Sequence, residues 1–231
     1  NKVYLKHISL YGKHVKKYYH TRLNGTFNVV IAKHVILENS HFSNNERVGI
    51  STFGGIKTVI IKNNMFIRCK GSVYLNSVID GAATMFIYNS TFHLGLEGNY
   101  RQYCYLKTFC VCLRHRYTWW DVKTTDVSVI LMDLKFIGCR SGAIGLTKSN
   151  SNNLNVSIHV ISSIFIKNID GAVITTVLNK MIIYSCVFFG NEGKSSGAVY
   201  AHTLSSFVIY STLFIKNCAL NGRGGAVSLS F

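Results

Sequence analysis

The chain has 231 residues, 48% of them hydrophobic, and carries 25 Lys and Arg against nine Asp and Glu, a formal net charge of +16. That length and apolar content can bury one substantial core, and such a charge draws acidic partners rather than basic ones. No stretch reaches the ~18 consecutive apolar residues of a membrane-spanning helix, so no membrane span is expected in this segment, and none shows a helical 3.6-residue period.

Residues 1–35 form a basic N-terminal section, with Lys2, Lys6, Lys13, Lys16, Lys17 and Arg22 ahead of the first acid, Glu38. From there a phrase recurs: an aromatic anchor, an Asn or Cys three residues later and, in several copies, a Gly-Ala pair. The anchors are Phe42, Phe66, Phe92, Phe136, Phe165, Phe188 and Phe214, at spacings of 24, 26, 44, 29, 23 and 26 residues. Between them lie β-branched runs such as TVIIKNNMF (58–66), MIIYSCVFF (181–189) and FVIYSTLF (207–214), bounded by Gly, Asn and Ser. A period of about 25 residues built from short strands predicts a solenoid. The expected fold is therefore all-β, one parallel stack over 1–231 with three strands per coil and eight or nine coils of roughly 25 residues. The absence of Pro suits such a stack, since Pro removes a ladder donor.

Stacking lines equivalent side chains into columns, so the anchors are expected to form a Phe column in the core. At anchor plus three stand Asn45, Asn168, Asn191 and Asn217, or Cys69 and Cys139. A short amide there tolerates the unusual backbone angles of a tight corner and can bond its counterpart in the next coil. Gly142, Gly171, Gly197 and Gly225, each followed by Ala, mark the next corner, where a β-carbon would crowd the bend. Asp80 and Asp170 precede Gly-Ala pairs and read as turn residues.

The F-x-x-N phrase and the G-G-A-[IV] phrase, present in full at Gly224-Gly225 and with one Gly in most other copies, resemble the repeats of right-handed parallel β-helix domains. The resemblance is strongest to the chlamydial polymorphic outer-membrane adhesins and similar repeats in secreted eukaryotic proteins. It covers about residues 36–231, most clearly after Leu131. It implies a right-handed, single-stranded parallel β-helix, extracellular or on a cell surface, with an adhesive or structural role. The chain begins without Met and stops within a repeat phrase at GGAVSLSF, so it is expected to be part of a longer protein.

Of seven cysteines, Cys69, Cys139, Cys186 and Cys218 read as small buried hydrophobes. Cys104, Cys110 and Cys112 cluster in YCYLKTFCVC and are candidates for a disulfide. Sequons place candidate glycosylation at Asn24, Asn89 and Asn155. No metal set and no cofactor site is predicted, because His115 is the only His near the cysteine cluster and the spacing fits no zinc pattern.

The gap of 44 residues between Phe92 and Phe136 holds either two coils or one coil with a protruding loop, so 95–128 is expected to be irregular. Within it, Arg101, Arg114 and Arg116 lie among Tyr100, Tyr103, Tyr117, Trp119 and Trp120. Aromatic faces stack on sugars and guanidinium forks pair with carboxylate or sulfate, which makes these residues, with Lys16 and Lys17, the candidate ligand-binding set. The plain alternatives are a packed degenerate coil and a solvated basic face. Glycoside hydrolysis needs paired carboxylates, and none of the nine acids adjoins another. The expected function is a non-enzymatic extracellular segment for adhesion or assembly. Its partners would be acidic glycans, another protein surface, or further copies stacked end to end or side by side, with nucleic acid ranked last. The competing reading is a polysaccharide-active enzyme, a metal-free lyase before a hydrolase.

Overall fold

The structure, a computed structural model, describes residues 2–11, 25–29, 33–44, 48–54, 57–69, 73–77, 83–94, 110–115, 125–140, 142–148, 154–221 and 224–230. All its elements are β-strands and all pairings between them are parallel. The chain is thus a parallel β-solenoid, as its repeat predicts.

Three faces run along the stack. The first is made of Lys2–Lys6, His34–Glu38, Thr58–Lys62, Ala83–Tyr88, Thr125–Met132 and Leu154–Ile161. The second, the anchor face, has eight three-residue strands from Ser9–Tyr11 to Leu213–Ile215, with the anchor at the centre of each from Phe42 onward. The third contains Gly25–Val29, Val48–Gly54, Val73–Ser77, Val111–His115, Ile144–Lys148 and, at its end, Val227–Ser230. First and third faces merge toward the C-terminus. The strand Val173–Tyr184 pairs through its first half with Ile144–Thr147 of the third face and through its second half with Ser157–Ile161 of the first. Val199–Tyr210 repeats that path one coil on.

The core is a set of columns. Phe42, Phe66, Phe92, Phe136, Phe165 and Phe188 are all 0% exposed, and Phe214 closes the row half-buried. Their ring centroids are 4.9, 4.9, 4.7, 5.1, 4.5 and 5.0 Å apart, with planes within 8° of parallel. That spacing is the inter-strand distance, so the backbone ladder itself dictates the stack. Phe92 pairs in register with Phe136, which resolves the long gap as one coil. Val111–His115 fills its third-face slot between Val73–Ser77 and Ile144–Lys148. Leu10 pairs with Phe42, so the ladder extends into the basic N-terminal section.

Left-handed residues flank the anchor strands, on both sides of the seven from His41–Ser43 to Leu213–Ile215. At anchor minus three, His7, Asn39, Asn63, Asn89, Asp133, Ser162, Ser185 and Ser211 have φ between 46° and 55°. At anchor plus two, Asn44, Arg68, Leu94, Gly138, Lys167, Gly190 and Lys216 have φ between 49° and 64°. The sequence reading put the unusual corner angle at plus three; it falls one residue earlier. A left-handed residue turns the chain sharply, and the plus-three side chain then points inward. The Gly-Ala corner is as expected at Gly171, with φ of 91°, and at Gly197, where a β-carbon would lie 2.5 Å from the Cys218 nitrogen.

Phe188→Ala removes a ring packed between Phe165 and Phe214 and is expected to cost about 3–5 kcal/mol by chemical denaturation. A variant that unfolds at the parent's denaturant midpoint would show that the ring is not in the core.

Candidate functional site

Two polar ladders flank the Phe column. At anchor plus three, Asn168 and Asn191 are fully buried and Asn217 is half-buried. Asn168 Nδ2 donates to Asn191 Oδ1 at 2.9 Å, and Asn191 Nδ2 to Asn217 Oδ1 at 2.9 Å. The same amides donate to the carbonyls of Phe136, Phe165 and Phe188, while their oxygens accept the backbone N–H groups of Cys139, Asn168 and Asn191. The corner donors of Cys139, Asn168 and Asn191 thus each find a partner one coil away, as a buried backbone requires.

The second ladder, at anchor minus two, escaped the sequence reading. Ser40, Asn64, Ser90, Ser163 and Thr212 each accept the backbone N–H of the preceding coil's equivalent residue, at 2.9 to 3.3 Å for the pairs Ile8–Ser40, Ser40–Asn64, Asn64–Ser90, Leu134–Ser163 and Cys186–Thr212. Each then donates to the carbonyl two residues before it. The signal was the residue pair before x-Phe, as in NSHF, NSTF and SSIF. Outside this ladder, Asn89 Nδ2 donates to Asn63 and Asn63 Nδ2 to Asn39, an exposed amide row at the same corner.

Cysteines occupy ladder positions where Ser or Asn otherwise stand. Cys69 and Cys186 are buried, as expected, and their thiols donate to backbone carbonyls. Burial pushes the Cys186 thiol up to about 11, so it is inert as a nucleophile. Two expectations change. Cys139 is not a packed thiol but the disulfide partner of Cys110, Cα to Cα 6.5 Å, because the anchor corner of one coil meets the start of Val111–His115 there. Cys218 is exposed, since its coil carries only one described neighbour in the ladder. Cys104 lies outside the described residues, and Cys112 is placed only by its strand pairing with Tyr74 and Gly145.

Glu38 holds the one cluster of ionisable groups among the described residues with shifted acid strength. On the first face Lys6, Glu38 and Lys62 are register neighbours. Lys62 Nζ lies 2.6 Å from Oε2 and Lys6 Nζ 3.3 Å from Oε1, and the Tyr4 hydroxyl donates to Oε1. The Lys62 ammonium, with the Tyr4 hydroxyl, holds the carboxyl down to about 2. A general acid needs the opposite shift, so this carboxylate is a structural ion pair in chemistry as well as in geometry.

Of the candidate ligand set, Arg101, Arg116, Tyr117, Trp119, Trp120, Lys16 and Lys17 lie outside the described residues, as does the sequon at Asn24. Arg114 is in Val111–His115, in register with Asn76 and Thr147. Asn89 and Asn155 are exposed, and each amide donates to a neighbour, Asn155 to Asp126 at 3.1 Å. The structure adds exposed cations that spacing alone did not single out. Arg68, Lys167 and Lys216 share the anchor-plus-two corner, forming one ridge. Among the described residues no group of three metal-ligating side chains occurs, and no helix is long and apolar enough to cross a membrane.

Two measurements check these assignments. Asn191→Ala strips partners from Asn168 and from the Phe165 carbonyl and is expected to cost about 1–3 kcal/mol, more than Asn217→Ala at the half-buried end of the row. For Glu38, the folded value near 2 lies below the ordinary 4.5, so its contribution is complete above 4.5 and lost as pH falls toward 2. Glu38→Gln should therefore melt below the parent at pH 7, with the gap closing across that window.

No family model, curated protein or solved structure matches the chain.

Proposed function

We propose that this solenoid is a non-enzymatic extracellular scaffold for adhesion or assembly that holds acidic glycans along a basic corner ridge. The observation that supports the reading is the ridge itself: Arg68, Lys167 and Lys216 recur at a left-handed corner that turns their side chains outward. Counted along the ladder they stand three and two coils apart, roughly 14 and 10 Å. Cations fixed at such intervals on a rigid backbone match a linear polyanion without ordering a loop. The Glu38 carboxylate, pinned in its ionised form, offers nothing to acid catalysis.

Binding to a heparin-like polymer tests the reading. The triple variant Arg68→Ala, Lys167→Ala, Lys216→Ala should lose about tenfold more affinity than the triple Lys33→Ala, Lys57→Ala, Lys180→Ala, which removes equal charge from the first face and its edge. Equal losses would reduce the ridge to general attraction. Shortening of the polymer during the assay would favour the lyase instead.

A further inference from the structure

A sheet with its inner side in the core and its outer side in water alternates apolar with polar residues. On the anchor face the two residues beside each inward anchor turn to the outer side. In the earlier coils these pairs are mixed: His41 and Ser43, Met65 and Ile67, Thr91 and His93. From the next coil on they are Lys135 and Ile137, Ile164 and Ile166, Val187 and Phe189, and Leu213 and Ile215, register neighbours throughout. Lys135 is the one polar member of the eight. Leu213 is 58% and Ile215 40% exposed on the last strand of the face, and the five apolar residues before them are half-buried. The two borders of this patch differ. At anchor plus two stand Gly138, Lys167, Gly190 and Lys216, with both lysines exposed. Across the opposite corner come Met132, Ile161, Tyr184 and Tyr210, the tyrosines 42% and 63% exposed and stacked at 5.4 Å. Within four residues of these four anchors there are four cations, Lys135, Arg140, Lys167 and Lys216, and two acids, Asp133 and Glu192.

We propose that this half of the anchor face docks on an anionic lipid bilayer, its aliphatic and aromatic side chains dipping into the headgroup boundary. The arrangement matches that layer. The centre is apolar; lysines on one border can lay their stems along it and lift their ammonium groups to lipid phosphate, while tyrosines on the other are apolar in body and polar at the tip. Charge selects the occupant. A chain of net charge +16 is drawn to an anionic surface and repelled by a second copy of itself. Area selects it too. Four strands at ~4.8 Å by three residues at ~3.3 Å give about 190 Å², far short of the ~800 Å² per partner of a specific protein interface. A bilayer sets no such threshold, because each inserted side chain and each nearby lysine adds to binding on its own. The inference goes beyond the glycan ridge: the two share Lys167 and Lys216, and the apolar centre belongs to the docking face alone.

Co-sedimentation with vesicles tests it. At an ionic strength of about 0.15 M the chain should bind phosphatidylcholine vesicles containing about 30% phosphatidylserine at least about tenfold more tightly than phosphatidylcholine alone. Phe189→Gln and Leu213→Gln should each weaken that binding at least about fivefold, and Ile67→Gln, in the mixed part of the same face, by no more than about twofold. None of the three changes the net charge, so a difference among them is not general attraction. Leu213 is already 58% exposed, so its replacement decides the matter even if Phe189→Gln fails to fold. No binding to the anionic vesicles, binding indifferent to Leu213→Gln, or an equal loss from Ile67→Gln would overturn the proposal. So would a dimer formed without lipid and dissolved by Leu213→Gln, since the face would then belong to a second copy. Heparin affinity should stay within about twofold in Leu213→Gln; a loss equal to that on vesicles would merge the face with the ridge and overturn it as a separate docking surface.

Discussion

The structure depends on one constraint: each strand's N–H and C=O groups are satisfied by the coils before and after it, in parallel register. A coil has no partners of its own for most of its backbone, so it is stable only as a member of the stack. Register then propagates. Because Phe66 must sit beside both Phe42 and Phe92, a shift of one residue in any coil would turn its apolar side outward and break two ladders at once. The core columns, the corner amides and the surface rows are all consequences of that repetition at about 4.8 Å.

The corners show how the chain solves its most difficult local problem. Bends expose backbone donors that a straight ladder would have satisfied, and burial denies them water. The anchor-minus-two and anchor-plus-three side chains replace those lost partners, one row on each side of the Phe column. Side chains that accept from one coil and donate to another make neighbouring coils interdependent in energy as well as in position. The Cys110–Cys139 disulfide fastens the stack where the coil between Phe92 and Phe136 is longest.

How much of this was legible depended on the size of the signal. A Phe every 25 residues or so has a core as its plainest explanation, and the column, the strand type and the parallel stack followed from it. The plus-three amides were recognised as corner residues that bond their counterparts. Their backbone angle was misplaced, because Arg68, Lys167 and Lys216 carry no composition cue that they are left-handed. The minus-two ladder was hidden by chemistry: Ser, Asn, Thr, Leu and Cys at one position look like unrelated turn residues until register aligns them. Cys139 was read as a small buried hydrophobe like Cys69 and Cys186, because its disulfide partner is 29 residues away and adjacent only in the folded coil. The proposed ligand residues rested on local clustering of Arg with aromatics, a pattern that says which chemistry is available without saying how it is arranged.

The merging of the first and third faces has a consequence for how the chain can change. From Gly54 to Thr58, from Ser77 to Ala83 and from His115 to Thr125, a connection of variable length separates the third-face strand from the next first-face strand. In Val173–Tyr184 and Val199–Tyr210 that connection has vanished and one unbroken strand turns the corner. Length can be added to the earlier coils between those strands, whereas any residue added to the last two must be forced into paired strand. Tolerance of insertions is therefore polarised along the molecule: the N-terminal and central coils are free to acquire new loops, and the C-terminal ones are fixed in length by their own hydrogen bonds.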